Sequence, residues 1–166
     1  MSQTSETFQL RPAEPRDVPG LITLITGLAQ YENLTTQLEV TPERLTRDLF
    51  GPRPAAEALV AHDSADQARL LGFALFFANY STFLGKPGLY LEDLFVVPEA
   101  RGRGVGRALI SAVARLALER DCGRFEWSVL DWNKSAIGFY TGLGATILPD
   151  WRVCRLTGPA LERFRR

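Results

Sequence analysis

Two acidic residues sit side by side in an apolar, strand-like run, and a basic, glycine-spaced loop follows shortly after. The run is Leu89-Tyr90-Leu91-Glu92-Asp93-Leu94-Phe95-Val96-Val97, stopped by Pro98, and the loop is Arg101-Gly102-Arg103-Gly104-Val105-Gly106-Arg107. A carboxylate held in such a run can take a proton or attract a cation. A glycine loop between a strand and a helix start gathers backbone N–H groups around a phosphate. Gly102, Gly104 and Gly106 admit φ > 0 and lack the Cβ that would hold a ligand at a distance. Arg101, Arg103 and Arg107 bring charge to the same place, and Arg suits forked phosphate contacts. Taken alone, Gly-x-Gly-x-Gly reads equally well as a solvated turn that opens a helix.

Spacing removes two nucleotide-binding alternatives. A dinucleotide fingerprint requires Gly-x-Gly-x-x-Gly, and Arg107 stands where the last glycine belongs. A P-loop requires Gly-Lys-Ser/Thr at the helix start, and Gly106-Arg107-Ala108 offers neither Lys nor a hydroxyl.

A second segment, Asn133-Lys134-Ser135-Ala136-Ile137-Gly138-Phe139-Tyr140, follows about thirty residues later and leads to Gly142-Leu143-Gly144. By itself it reads as a helix capped by Asn133, with Phe139 and Tyr140 as packing aromatics and Gly144 as the stop. The glycine loop together with Asn-x-x-Ala-x-x-Phe-Tyr resembles the GNAT (GCN5-related) N-acetyltransferases, which bind acetyl-coenzyme A. Three further stretches, Gln30-Tyr31-Glu32, Gly85-Lys86 and Leu89-Tyr90-Leu91-Glu92-Asp93, look like the spermidine/spermine and thialysine acetyltransferase branch, and the likeness spans residues 8 to 157. Phe83 stands where that branch often carries Trp, and Pro87 interrupts the stretch after Gly85-Lys86. Both departures bear on acceptor preference.

The resemblance implies a mixed α/β acyl-CoA N-acyltransferase fold, with a predominantly antiparallel sheet of six to seven strands and about four helices. It implies acetyl transfer from acetyl-CoA to a small cationic amine, without a metal, in a homodimer. It assigns coenzyme contacts to Leu94, Phe95, Val96, Arg101, Gly102, Arg103, Gly104, Val105, Gly106, Arg107, Asn133, Ala136 and Tyr140. Glu92 is then the base, acting through water, and Tyr140 the acid that protonates the departing thiolate. Tyr31, Glu32, Glu92 and Asp93 recognise the acceptor. Transfer to another amine (an amino acid, an aminoglycoside or a protein N-terminus) and a non-catalytic acyl-CoA sensor remain as alternatives.

The chemistry asks for such a set. An amine like a lysine side chain has a pKa of ~10.4, so only about one molecule in 2,500 is neutral and nucleophilic at pH 7. Glu92 and Asp93 are consecutive strand residues, so regular alternation allows only one of them to face a cleft.

The elements that must position these groups follow from pattern. Residues 7–11 read as a strand. Val18, Leu21, Ile22, Ile25, Leu28 and Ala29 recur at helical spacing, and Thr41-Pro42 starts a second helix that runs to about Phe50. Strands are expected over 58–62, 70–80, 88–97 and 124–130, with final strands at 145–148 and 152–157. Helices are expected after the glycine loop and after Asn133. The order β-α-α-β-β-β-α-β-α-β-β gives a mixed sheet flanked by helices.

Composition bounds the rest. With 166 residues, 46% of them hydrophobic, and no linker or repeat, the reading is a single domain over 1–166. Nineteen basic residues balance 19 acidic ones, so no global field recruits nucleic acid or an anionic membrane. There is no apolar signal core and no apolar run near the ~18 residues of a membrane span, which gives the expectation of a cytoplasmic protein with Cys122 and Cys154 reduced. One histidine and two scattered cysteines make no metal site, and His62 is expected at a strand end or on the surface. Trp127 reads as core, while Trp132 and Trp151 receive no role.

Overall fold

A computed structural model describes residues 7–165. They divide into two compact units, one ending at Ser128 and the other beginning at Val129.

In the first unit, β1 (Phe8–Pro12) leads to α1 (Val18–Tyr31) and α2 (Pro42–Phe50), then β2 (Glu57–Asp63), β3 (Leu70–Ser81) and β4 (Lys86–Val96). The glycine loop and α3 (Val105–Glu119) follow, and β5 (Arg124–Trp127) closes the unit. The sheet order is β1-β2-β3-β4-β5. Pairing is antiparallel up to β4, and β4–β5 is parallel. A parallel pair needs a crossover connection, which α3 supplies.

Alternation places Ala58, Val60, Phe73 and Phe95 on one face, packed with Val18, Leu21 and Leu24 of α1 and Leu45 and Leu49 of α2. Leu59, Ala61, Phe76, Leu89 and Leu91 alternate with these and are buried on the other face. That face is covered by α3, whose Val105, Leu109, Ile110, Val113 and Ala117 are buried.

The start of α1 is tied to β1 by an ion pair whose carboxylate is buried and whose guanidinium is partly so. Arg11 Nη1 and Nη2 donate to the two Asp17 carboxylate oxygens at 2.6 and 2.8 Å, and Glu14 N–H donates to Asp17 Oδ2 at 2.8 Å. Burial pushes the Asp17 pKa up, but these hydrogen bonds and the Arg11 charge outweigh it and hold the carboxyl below its usual range.

The second unit contains α4 (Lys134–Gly142) and α5 (Gly158–Glu162). Asn133 Oδ1 caps α4 by accepting from Ala136 N–H at 3.1 Å, and Gly144, at φ 93°, follows the helix end as expected.

Among the described residues the sheet therefore has five strands rather than six or seven, and there are five α-helices, three in the first unit and two in the second. Residues 145–148 and 152–157 form no strand. Their apolar side chains Ile147, Leu148, Val153 and Leu156 are exposed, and Pro149 lacks the N–H a ladder requires. The fifth strand stops at Trp127 rather than 130. His62 is the penultimate residue of β2, as expected for a strand end, but it is buried, with Nδ1 2.9 Å from Asp63 O. Both cysteines are free thiols. Among the described residues no helix is long and apolar enough to cross a membrane, and no side-chain group is arranged to hold a metal ion.

Candidate active site

Strand β4 carries the first part of the site. Its pairing with β5 covers only Gly88–Leu91, set against Arg124–Trp127. From Glu92 to Val96 the strand keeps β3 on one side and has no described strand on the other. A strand released in this way presents N–H and C=O groups that its sheet does not pair. Leu94, Phe95 and Val96, the expected coenzyme-contacting residues, lie in that stretch.

An irregularity sits at the same place. Phe76 pairs with Leu91 and Leu75 with Asp93, so Glu92 is an extra residue in β4, a β-bulge. Residues directly opposite each other share a face. Asp93 therefore lies on the face of Leu75, and Phe95 on that of Phe73, which is the α1 side. Tyr90, opposite Phe77, is also on that side, and Glu92 follows Tyr90 by two residues. The bulge thus turns two consecutive carboxylates toward one face and corrects the expectation that alternation would separate them.

The end of α1 meets this face. Tyr31 is its last residue and Glu32 its C-cap. Burial raises the Glu32 pKa above its ordinary value. Asp93 is raised further, to about 6, first by burial and then by the like charges of Glu92 and Glu32. Arg101 also reaches this region. Its Nε donates to Val96 O at 3.0 Å, and its guanidinium carbon lies 5.1 Å from the Tyr31 ring centre and 5.6 Å from that of Phe95. Such cation–π contacts contribute about 0.5–2 kcal/mol. Arg101 thereby links the end of β4 to the end of α1, a connection that sequence spacing gives no sign of.

The loop forms the second part. Gly102 and Gly104 hold φ of 73° and 85°, and a Cβ built on either meets nothing within 4 Å. Gly104 is the N-cap of α3. Gly106 was expected to share this freedom, but it lies inside the first helical turn without a positive φ. The first backbone bond into the helix runs from Ala108 N–H to Gly104 O at 2.9 Å. The amides of Val105, Gly106 and Arg107 are then the donors a helix start leaves over, at the positive end of its dipole. Arg103 Nη2 donates to Thr7 Oγ1 at 2.5 Å. The space beside Gly102 and Gly104 is open, and the first amides of α3 are not taken up by its backbone ladder. Arg103 and Arg107 lie on the loop and the first helical turn, while Arg101 is engaged at the end of α1. The loop suits a diphosphate.

The second unit holds the remaining expected residues. Asn133 and Ala136 meet in the α4 cap, and Tyr140 lies on the last turns of α4, its ring centre 5.3 Å from that of Phe139.

Known proteins with similar sequences agree with one another. The model of the Acetyltransferase (GNAT) family matches residues 28–145. A thialysine N-epsilon-acetyltransferase of Sus scrofa is 38% identical over 163 aligned residues, covering 93% of this chain and 95% of that one. L-ornithine N5-acetyltransferase NATA1 of Arabidopsis thaliana is 35% identical over 196 aligned residues, covering 93% of this chain and 86% of that protein. Among solved structures, the V. cholerae integron cassette protein VCH_CASS6 superposes with a TM-score of 0.78 at 22% identity, covering 95% of this chain and 96% of that one. This last likeness is one of fold.

Proposed function

This chain belongs to the GNAT acetyltransferase family and is an acyl-CoA-dependent N-acetyltransferase; on that premise we propose that it acetylates a primary amine of a small cationic acceptor. The acceptor class is a lysine- or thialysine-like amine, ornithine or a polyamine, attacking directly in a ternary complex with acetyl-CoA. The observation that carries this reading is the succession of an open strand edge at Glu92–Val96, a loop with two positive-φ glycines and an unsatisfied helix start.

The parts have separate tasks. The amides at the start of α3, with Arg103 and Arg107, hold the diphosphate. The open backbone of Leu94–Val96 lines up the pantetheine arm and the acetyl oxygen by hydrogen bonds. When bound, acetyl-CoA supplies an activated acyl group on a sulfur leaving group. Asn133 fixes the start of α4, on which Tyr140 is the proposed proton donor to that sulfur. On the acceptor side, Tyr31 and Glu32 attract the cation. Glu92, exposed at the bulge, contacts the ammonium directly or through a water and begins its deprotonation.

Coenzyme A calorimetry, followed by thiol release with thialysine, lysine, ornithine, spermidine, spermine and an aminoglycoside, tests the proposal. The expected result is saturable coenzyme binding and turnover confined to the small cationic amines. Folded protein that binds no coenzyme A overturns it.

The loop makes its own prediction. At Gly104 a side chain meets no neighbour but must adopt left-handed backbone, which costs roughly 1–2 kcal/mol. An alanine that escapes this strain by leaving the left-handed turn must regain it to bind, so Gly104→Ala should weaken coenzyme A binding by up to about 5- to 30-fold, read by calorimetry. Unchanged affinity would show that the left-handed turn does not form the cradle.

A further inference from the structure

Three carboxylates, Glu32, Glu92 and Asp93, act on one another at the β4 bulge, and the structure does not make them equivalent. Glu92 is exposed at the bulge, Glu32 caps α1 at the edge of the same face, and Asp93 is the most buried of the three. Among the described residues Asp93 has no ion-pair partner. Arg101, the cation on the loop beside this face, is engaged with Val96 O and the rings of Tyr31 and Phe95. Like charges this close do not all remain ionised comfortably, and a proton shared among them comes to rest on the member that water solvates least.

We propose that Asp93, turned onto the acceptor face by the Glu92 bulge, is the group on which the proton leaving the acceptor's ammonium comes to rest. The inference rests on the acetyl-transfer reading above and extends it. The step balances. R–NH3+ beside three carboxylates becomes R–NH2 beside two carboxylates and one carboxylic acid. The N–H bond breaks, its electron pair stays on nitrogen as the attacking lone pair, and the O–H bond forms on Asp93. Glu92, nearer to solvent, holds the cation and passes its proton inward. The transfer leaves the net charge unchanged: it gives up the ammonium's attraction to the carboxylates and relieves repulsion within the acidic group, and of the three carboxylates the least solvated gains most from taking the proton. A base near 6 is also a better proton acceptor than an ordinary aspartate, by about two pKa units or roughly a hundredfold.

The test is the pH dependence of kcat/KM, whose acidic limb reports the free enzyme's base. Wild type should lose activity below an apparent pKa near 6. Asp93→Asn should abolish that limb and lower the plateau by about a hundredfold or more. Glu32→Gln and Glu92→Gln should keep the limb but move it to lower pH, because each removes a like charge that holds Asp93 up. A limb left in place by Asp93→Asn overturns the proposal. So does a limb that Glu32→Gln fails to move, which covers the case in which the Asp93 variant does not fold. Carboxyl NMR of Asp93 in the unliganded wild type reads the same quantity without turnover. Titration in the ordinary aspartate range sinks this inference while leaving the acetyl-transfer reading intact. Wild type that binds coenzyme A and acetylates no amine sinks the acetyl-transfer reading instead.

Discussion

Tyr140→Phe should lower kcat by about a hundredfold or more while coenzyme A affinity stays within about twofold of wild type. Replacing Tyr140 by Phe keeps the ring and its packing against Phe139, so the change tests the hydroxyl rather than the aromatic side chain. The leaving sulfur otherwise departs as a free thiolate, or takes its proton from water that is not held in position. A phenol is suited to the task because its reference pKa of ~10 lies above the ~8.5 of a simple thiol. It therefore stays protonated at neutral pH until the sulfur becomes strongly basic. Steady-state kinetics at saturating acetyl-CoA, paired with coenzyme A calorimetry, checks the claim. Full turnover in the variant would remove Tyr140 from proton transfer and leave it as a packing residue. A fall in affinity that matches the fall in rate would point instead to a positioning role.

The second large effect is on stability. Arg11→Ala should destabilise the protein by about 3–5 kcal/mol, because it strands the buried Asp17 carboxylate without its forked partner. For a chain of this size the melting temperature should fall by on the order of 10 °C. The pH dependence carries a definite sign. The folded pKa of Asp17 is depressed, so its contribution is present above the unfolded value of ~3.9 and disappears as pH falls through the lower folded value. Wild type and variant should differ most near neutral pH and converge in acid, below about pH 4. Replacing both partners with apolar residues, Arg11→Met with Asp17→Leu, should recover part of the loss. The recovery is incomplete because Glu14 N–H also loses its acceptor. Thermal melts of the three proteins across pH decide the matter. A uniform offset at every pH would contradict the assignment to Asp17.

Much of this organisation can be read from the chain because local chemistry dictates it. Thr41-Pro42 begins α2, the apolar spacing from Val18 to Ala29 gives α1, and Asn133 and Gly144 bracket α4. The strand–loop–helix order around Gly102 and Gly104 is equally legible, since glycine spacing between an apolar run and an amphipathic one states it directly. The bulge is not. No residue type marks Glu92 as the extra one. It becomes extra only when β3 supplies one partner for two positions, and that is a property of tertiary register. The only hint is an adjacent Glu-Asp pair inside an apolar strand. Residues 145–157 show the opposite failure. Their alternation of Trp151, Val153 and nearby polar residues has strand character, yet a strand exists only where a neighbouring backbone offers hydrogen bonds. His62 lies at a strand end as its place in the run implies, but one polar residue at the end of an apolar run gives no sign of whether it is buried.

The pairing of β4 with β5 also sets an order of assembly. Strands β2, β3 and β4 are consecutive hairpins with short turns, so their contacts close early at small entropic cost. The parallel ladder of Gly88–Leu91 with Arg124–Trp127 must wait until residues 97–123 have spanned the crossover. Substitutions in β5 should accordingly accelerate unfolding more than they slow refolding, a split that stopped-flow chevrons resolve. On that order the arrival of β5 determines where β4 stops being covered, and the open edge at Glu92–Val96 takes its limits only in the closing stage of folding.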